Sequence, residues 1–355
     1  FKQKTAYEIM PSLVGSEMCI RDSIHIDLRP LAQFAGARII QEEITKIDLI
    51  NKRITLPSRP PLDFDILSLN IGSEPDAQLI PGALHYATGI KPISEFILQW
   101  HKIFDTIVSS LSNQDTEYTL AIVGGGPASV ELAFSAQVSI HNQLGISLTD
   151  QSKLKIQIIS ADDDILKSHN QAVRNFTRSE LKRRGIEIRL GSLVTEFKEN
   201  TVICEKGDSY YADAIVFATG AKIPSWPAES GLTIASDGFI EVNNHLQSTS
   251  HEFVFAAGDA ATIRDASRPK SGVYAVRQGK PLAENLVRFA TGRYLKSYRP
   301  QRHALALMSM GDKKAIASRN KLFFKGGWVW HLKNRIDTNF LKKYSELPVM
   351  SAPLD

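Results

Sequence analysis

LAIVGGGPASVELA, residues 120–133, is the stretch that decides the fold of this 355-residue chain. The apolar residues before Gly124 predict a buried strand, and the residues from Pro127 onward predict a helix. Gly124 permits the tight turn between them, with Gly125 inside it, and Gly126 lets the backbone approach a pyrophosphate. The helix then offers free N–H groups and the positive end of its dipole to the phosphates. The stretch therefore predicts a dinucleotide site.

Two serines depart from the usual form of such a site. Ser129 stands where a third glycine normally allows close packing of helix on strand, and it is the smallest substitute. Ser160 stands at the end of the second predicted strand, where an acidic residue would bind the adenosine ribose. Asp162 or Asp163 is expected to take that role, unless these residues form a solvated acidic turn. Without an arginine there for a 2′-phosphate, NADH is favoured over NADPH.

The surrounding chain alternates strands and helices. Helical spacing of apolar residues, and short apolar runs, predict helices over residues 91–110, 127–139 and 170–184 and strands over residues 155–160, 186–190 and 211–218. This order is typical of crossover connections in a mostly parallel sheet, so the predicted fold class is α/β. Further upstream, residues 52–56 and 64–70 are predicted strands, with Pro57, Pro60 and Pro61 marking the turn between them.

The first 23 residues are expected not to be native. Residues 18–23 read MCIRDS, which back-translates to ATG TGT ATA AGA GAC AGN, the transposase end used in short-read library preparation. Residues 12–17 and 2–8 read as the rest of that adapter in the same frame. We therefore expect a translated sequencing adapter over residues 1–23 and exclude it from fold reasoning. The native N-terminus is then expected to be missing, and the chain to be a fragment.

The composition is ordinary for a globular protein, with 43% hydrophobic and 23% charged residues. A net charge of +4 is too small to indicate nucleic-acid binding. No apolar run approaches the roughly 20 residues of a membrane span, and no metal site is predicted because the histidines are neither paired nor close to cysteines. With Cys19 assigned to the adapter, Cys204 has no partner for a disulfide, and a reducing, intracellular setting is expected.

Three more strings predict a second dinucleotide site. Residues 64–72 (FDILSLNIG), 213–220 (DAIVFATG) and 253–260 (FVFAAGDA) are apolar strands that end in small residues. Singly, each is a core strand leading into a turn. Together and in this order they resemble the two-dinucleotide flavoproteins of the pyridine nucleotide–disulfide oxidoreductase superfamily. The resemblance implies FAD and NADH or NADPH as cofactors, in two Rossmann-like, three-layer domains with the nicotinamide domain inserted in the FAD domain. The first FAD-binding βαβ unit is expected to precede residue 24 and to be missing.

The resemblance also implies residue roles. Gly72 would be the crossing from the FAD domain to the nicotinamide domain, and the crossing back would lie at Ala218, Thr219 and Gly220. Asp259 would accept a hydrogen bond from the ribityl chain of the flavin, and Gly258 would allow close approach. The helix that opens over residues 273–278, with Tyr274 and Ala275, would direct its positive end at the flavin ring and stabilise the charge of the reduced state.

Two residues are predicted to be catalytic. Glu131 would lie near the nicotinamide and flavin rings, although it can equally be a residue that favours its helix N-terminus electrostatically. Residues 270–286 (KSGVYAVRQGKPLAENL) resemble the quinone-facing helix of type II NADH dehydrogenases, with Ala275 and Gln278 in the facing positions. A disulfide-reductase branch with its cysteine pair in the nicotinamide domain is excluded by the single Cys204, whereas a pair near the missing N-terminus stays open.

The resemblance implies an FAD-dependent NAD(P)H dehydrogenase whose acceptor is a quinone or a similar small molecule. The strings DLRPLAQFAGARII, KPISEF, AVRQGKPLAENL and GGWVWHLKNRIDTNFLKKY look closest to the dehydrogenase-like module associated with selenide, water dikinase. Supply of reducing power to selenium metabolism is therefore one alternative, with a kinase domain expected after Pro348. A non-catalytic, nucleotide-sensing flavoprotein is the other.

The predicted organisation is an FAD domain over residues 24–115 and 241–297, a nicotinamide domain over 116–240 and a basic, aromatic tail over 298–355. In the tail, Val329, Leu332, Ile336 and Phe340 share one helical face, with Lys333, Arg335, Lys342 and Lys343 outside it. Residues 319–343 fit a helix on an anionic membrane surface, or a helix packed on its own FAD domain. The expected location is cytoplasmic or peripheral on the inner face of the cell membrane.

Overall fold

The computed structural model describes residues 26–73, 80–112, 116–148 and 153–348. The predicted adapter lies outside these residues. Within them, the helices and strands in chain order are α1 (Leu28–Phe34), β1 (Lys46–Asp48), β2 (Arg53–Leu56), β3 (Arg59–Asp63), β4 (Leu67–Leu69), α2 (Ala83–Tyr86), β5 (Thr88–Gly89), α3 (Ile93–Leu111), β6 (Tyr118–Val123), α4 (Pro127–Leu144), β7 (Leu154–Ile159), α5 (Gln171–Arg183), β8 (Glu187–Arg189), β9 (Val194–Lys198), β10 (Thr201–Cys204), β11 (Ser209–Tyr211), β12 (Ala214–Phe217), α6 (Trp226–Glu229), β13 (Ile240–Val242), β14 (Val254–Ala256), β15 (Ala261–Ile263), α7 (Gly272–Ala290), β16 (Ala306–Ser309), β17 (Ala315–Arg319), β18 (Leu322–Gly326) and α8 (Gly327–Ser345).

A five-stranded parallel sheet, which we call the central sheet, lies at the middle of the chain. Its strand order is β5-β12-β6-β7-β8. Leu120 and Ile122 are buried on the face that α3 and α4 cover, and Ala121 and Val123 on the face that the antiparallel β9–β11 sheet covers. Burial on both faces explains why β6 reads as a continuous apolar run rather than an alternating one. The predicted α/β fold with a Rossmann-like parallel sheet is confirmed.

The central sheet also recruits segments from before residue 116. β5 pairs with β12, and α3 packs on α4 and β6 through the buried side chains of Phe96, Trp100 and Ile107. The unit built on this sheet therefore begins upstream of the predicted boundary, by residue 80, because Ile80 and Ala83 pack in the same apolar cluster as Val123. The predicted boundary at residue 116 falls between α3 and β6, which both belong to this unit.

A second unit, which we call the outer unit, is built from chain segments that come before and after the central unit. β4 and β14 form a parallel pair, with Leu67 opposite Val254 and Leu69 opposite Ala256. β13 pairs with β15, and β1–β3 form an antiparallel meander. A separate apolar core joins these strands to α7 through Leu282. This arrangement is the expected return of the chain after residue 240 to its first part.

The meander β1–β3 corrects the predicted turn at the prolines. Pro60 and Pro61 lie inside β3 rather than between strands. β3 is the edge strand of its sheet, and its pairing with β2 shifts register opposite the two prolines. Residues without an N–H group are tolerated at edges and at such irregularities. The sequence criterion that proline ends a strand is therefore misleading at this edge.

The predicted tail forms a folded C-terminal unit of β16–β18 and α8. The three strands pair in order along an antiparallel sheet, and α8 packs on them with Val329 fully buried. The sheet side of this unit contacts α4 of the central unit through β16. Within the described residues, the main contacts of α8 are with β16–β18 of its own unit rather than with the FAD domain on which the alternative placed it.

Candidate functional site

The glycine-rich turn lies at the carboxyl edge of the central sheet. The Gly124 N–H donates to the Ile159 carbonyl at the end of β7 (2.7 Å), and the Ala218 N–H after β12 donates to the Val123 carbonyl (2.8 Å). Gly124 has a φ of 128°, a backbone conformation that residues with a side chain rarely adopt. Gly126 is the N-cap of α4 with Pro127 in the first turn, and no side chain caps this end. The uncapped N–H groups suit an anionic group.

The two serines lie directly under this turn. Ser129 is fully buried, and a Cβ on Gly124 would come within 2.9 Å of its Oγ. Ser160 is buried, and its Oγ would lie 2.4 Å from a Cβ on Gly125. The close approach accounts for glycine at both turn positions. Ser129 therefore fills the space of the missing third glycine without separating the helix from the strand.

Asp162, the residue predicted for the adenosine ribose, lies beside the Ser160 side chain. Its N–H donates to Ser160 Oγ (3.2 Å), and its carboxylate pairs with Lys167 at 3.3 Å. Lys167 also pairs with Asp163 at 2.8 Å, and this partner lowers the pKa of the Asp163 carboxyl. Lys167 thus offsets part of the negative charge of the acidic turn. A role of Asp162 in ribose binding stays a prediction.

The two predicted crossings lie next to the two candidate sites. After β12, Ala218 contacts the glycine-rich turn, and a Cβ on Gly124 would lie 3.3 Å from its carbonyl oxygen, while Thr219 is half-buried and Gly220 turns with a φ of 64°. After β4, Gly72 turns with a φ of 79°, and the next residue, Ser73, donates to Asp259 Oδ2 (3.5 Å). The structure thus brings the first crossing to Asp259 and the second to the dinucleotide turn.

The residues around Gly258 form a cradle that fits a flavin cofactor. Gly258 has a φ of 71°, and a Cβ there would lie 2.6 Å from Asn70 Oδ1. Asn70 Oδ1 and Asp259 Oδ1 are buried, and within the described residues neither has a hydrogen-bond partner. Tyr274 and Ala275, at the start of α7, line a cavity together with Gly258 and Asp259. Two buried acceptors without donors are what the hydroxyl groups of a ribityl chain would satisfy, so the residues present fit FAD.

The structure gives the two predicted catalytic residues backbone partners. Glu131 is 1% exposed, and its Oε1 accepts the N–H of Ser309 on β16 (2.6 Å). Gln278 is 6% exposed, and its Oε1 accepts the N–H of Gly258 (2.6 Å). Glu131 therefore joins α4 to the C-terminal unit, and Gln278 fixes the backbone of the cradle. Their predicted contacts with nicotinamide and quinone stay predictions.

Sequence reasoning missed two lysines at the cradle. Lys91 pairs with Asp259 at 3.1 Å, and Lys270 lines the cavity while donating to the Ala261 carbonyl and to Thr262 Oγ1 (2.7 Å each). Burial lowers the pKa of Lys270 to about 8, against the opposing influence of nearby carboxylates. Lys91 is 168 residues from Asp259 in the chain, so no local pattern signals their contact.

Comparison with known proteins agrees with this geometry. Zebra finch (Taeniopygia guttata) ferroptosis suppressor protein 1 is 26% identical over 296 residues, which cover 80% of this chain and 72% of that protein. A type II NADH:quinone oxidoreductase of Haemophilus influenzae is 27% identical over 217 residues, or 59% of this chain and 49% of that enzyme. In fold, the chain is similar to the sulfide:quinone oxidoreductase of Aquifex aeolicus, with a TM-score of 0.78, 17% identity and coverage of 95% of this chain and 82% of that one.

A family model provides the assignment. The model of the pyridine nucleotide-disulphide oxidoreductases matches residues 21–279, which include both crossings, the glycine-rich turn and the cradle. The cofactors of this family are FAD and NAD(P)H. The chain belongs to the pyridine nucleotide-disulphide oxidoreductase family.

Proposed function

We propose that this protein is an FAD-dependent NAD(P)H dehydrogenase that passes a hydride from the nicotinamide to the flavin and the electrons on to a quinone or a similar small acceptor. The observation that carries the proposal is the pairing of an uncapped, glycine-rich helix start with a cradle of orphaned buried acceptors in one chain. The first suits a pyrophosphate, and the second suits the hydroxyl groups of a flavin nucleotide. The relatives named above include a quinone reductase.

The chain's own residues would bind and orient both cofactors. The N–H groups that open α4 would hold the nicotinamide dinucleotide through its pyrophosphate. Asp259 Oδ1 and Asn70 Oδ1 would accept the ribityl hydroxyl groups, and the N-terminus of α7, in the wall of the same cavity, would stabilise the negative charge of the reduced state. The flavin, when bound, supplies the hydride acceptor and the route to one- or two-electron acceptors.

The decisive experiment is anaerobic reduction of the full-length protein reconstituted with FAD. We expect NADH to bleach the flavin absorbance, and a soluble quinone analogue to restore it over repeated turnovers. Gly126→Val, which puts a branched side chain at the N-cap of α4, should weaken NADH binding. Gly145→Asn, at the left-handed C-cap of the same helix (φ 66°), should leave binding intact because asparagine tolerates that conformation. Absence of bleaching by both NADH and NADPH would refute the proposal.

NADH is the proposed nucleotide. Asp162 and Asp163 place negative charge after β7, where a 2′-phosphate would be repelled, although Lys167 offsets part of it. Comparing the rates of bleaching by NADH and NADPH tests this point separately. A faster reaction with NADPH would reject the preference and leave the dehydrogenase function standing.

A non-catalytic sensor is the second candidate function. It is favoured by the backbone hydrogen bonds that already engage Glu131 and Gln278, the two predicted catalytic residues. Such a protein would bind NADH and FAD without steady-state turnover. The quinone assay separates the two, because a sensor would show at most a single reduction of its flavin.

Delivery of electrons to selenium metabolism is a third reading, supported by the four strings that look like the module associated with selenide, water dikinase. An open reading frame for such a kinase, fused downstream in the intact gene, would support it. An intact gene with no kinase either fused to it or beside it would count against it.

Membrane contact is proposed for one surface of the C-terminal unit, which we call the apolar stripe. It consists of five exposed side chains on β18 and α8: Leu322, Phe324, Trp328, Leu332 and Ile336. Exposed basic residues lie next to it in the chain, among them Lys321 and Arg335. Lys333, predicted to be outside the packed face, is instead buried beside Asp337 (3.0 Å). An apolar stripe with a basic rim suits an anionic lipid surface.

Co-sedimentation with lipid vesicles tests this contact. We expect binding to vesicles that contain phosphatidylglycerol and little binding to pure phosphatidylcholine. Trp328→Glu should weaken binding roughly tenfold, since it removes apolar area and adds repulsion. Tyr294→Glu, at a residue 94% exposed elsewhere, is the matched control. Equal binding by the two variants would reject the membrane surface. Among the described residues, no helix is both long and apolar enough to cross a bilayer.

A further inference from the structure

Lys91 is a largely buried cation at the flavin cradle, and the function proposed above does not use it. Its side chain is 17% exposed, and its Nζ donates to Asp259 Oδ2 and to Ser73 Oγ, both at 3.1 Å. The Asp259 side chain is only 3% exposed. Three separate segments thus converge: the first crossing, the residue before Pro92 at the start of α3, and the strand end at Gly258.

The two carboxylate oxygen atoms of Asp259 have different surroundings. Oδ2 is held by Lys91 and by Ser73, whereas Oδ1 is buried with no partner within the described residues. An unpaired buried carboxylate would be strongly unfavourable, and its partner cation removes that penalty. The ion pair therefore leaves Oδ1 as the atom that can accept a cofactor hydroxyl group.

Charge gives the pair a second consequence. A flavin gains negative charge on reduction, and a lone carboxylate at its ribityl chain would oppose that gain. Lys91 neutralises Asp259 at 3.1 Å, and Lys270, whose side chain interacts electrostatically with Asp259, adds positive charge in the same cavity. Resting on the proposed function, we propose that Lys91 is a positioning residue of the flavin site, which fixes Asp259 and shifts the preference of the site toward reduced FAD.

The test measures the midpoint potential of the bound flavin. The full-length wild-type protein and its variants Lys91→Gln, Lys91→Arg and Lys91→Gln/Asp259→Asn are reconstituted with FAD and titrated against redox dyes. Lys91→Gln keeps a hydrogen-bond donor and removes the charge. We expect it to weaken binding of reduced FAD relative to oxidised FAD by about tenfold, which lowers a two-electron potential by about 30 mV.

The other two variants separate charge from shape. Lys91→Arg keeps the charge and should stay close to the wild-type potential. The double variant removes both charges, so its midpoint potential should return most of the way to the wild-type value. A merely structural role of Lys91 would not produce that recovery. If Lys91→Gln loses FAD and the double variant binds it again, the result supports the inference. If neither variant binds FAD, the result overturns it.

The remaining outcomes are also assigned. Lys91→Gln with bound FAD and an unchanged potential overturns the role of Lys91, and the dehydrogenase function stands if NADH still bleaches the flavin. A full-length wild-type protein that takes up no FAD would overturn this inference, and the dehydrogenase function with it.

Discussion

Replacing Arg184 with methionine is expected to loosen the C-terminal unit from the central one. The Arg184 side chain is fully buried just after α5 and pairs with Glu180 (2.8 Å) and with Asp312 on the turn between β16 and β17 (3.2 Å). It also donates to the Met310 carbonyl (3.0 Å), and its guanidinium lies 4.7 Å from the centre of the Phe134 ring. One side chain therefore bridges α4, α5 and the C-terminal unit.

The magnitude follows from what the substitution leaves behind. Removing one partner of a buried ion pair costs about 3–5 kcal/mol, because the other charge is left without compensation. Glu180 retains Arg183 (2.6 Å), and Asp312 retains Lys314 (2.9 Å), so the lower end applies. Methionine keeps much of the packing on Phe134. We therefore expect a loss of about 3 kcal/mol, which raises the open population roughly a hundredfold.

The matched control is the neighbouring residue. Arg183→Met removes an ion pair to the same Glu180, but the Arg183 side chain is 56% exposed, so the loss should not exceed about 1 kcal/mol. The assay is limited proteolysis between α7 and β16 under conditions where opening is fast, so that the cleavage rate follows the open population. Equal cleavage rates for the two variants would refute the reasoning that burial of Arg184 anchors this unit.

Three further outcomes are expected. Gly311→Ala should cost about 2 kcal/mol more than Gly207→Ala, measured by urea unfolding: both glycines have a φ near 82°, but only at Gly311 would a Cβ meet the Phe134 carbonyl oxygen, at 2.8 Å. The arginine partners of Glu180, Arg183 first, lower the pKa of its carboxyl to about 2 from 4.5. The stabilising effect of Glu180 is therefore present above pH 4.5 and is lost as pH falls toward 2. The difference in unfolding free energy between the wild type and Glu180→Gln should shrink over that range. Burial lowers the pKa of His169 below 6.5, so stability should fall as pH drops below 6.5, and His169→Gln should remove that part of the pH dependence.

The parts of the fold that the sequence predicts well are those whose cause is local. The strand β6, the turn at Gly124 and the helix start at Pro127 were predicted where the structure has them, because strand burial, tight turning and helix opening each need particular residues at particular spacings. The helix over residues 91–110 was likewise predicted within two residues of α3. Such patterns depend on the residues within a few positions of each other.

Two buried contacts at the candidate sites that the sequence did not reveal are long-range. Glu131 meets Ser309 across 178 residues, and Lys91 meets Asp259 across 168. Each of these side chains reads locally as an ordinary charged residue near the start of a helix, and nothing in its neighbourhood specifies its partner. The predicted tail was incomplete in a different way: the sequence showed the basic and aromatic residues of α8, but the meander β16–β18 was not predicted, although its strands are consecutive in the chain.

The packing of the C-terminal unit has a consequence for the dinucleotide turn. α4 begins at that turn, and the same helix holds β16 through Glu131 and the following turn through the close approach of Gly311 to Phe134 and Val138. The apolar stripe is therefore fixed to the helix whose first N–H groups would bind the nicotinamide dinucleotide. A surface that holds the stripe must also hold α4, because separating them breaks a buried carboxylate contact and the Arg184 bridge.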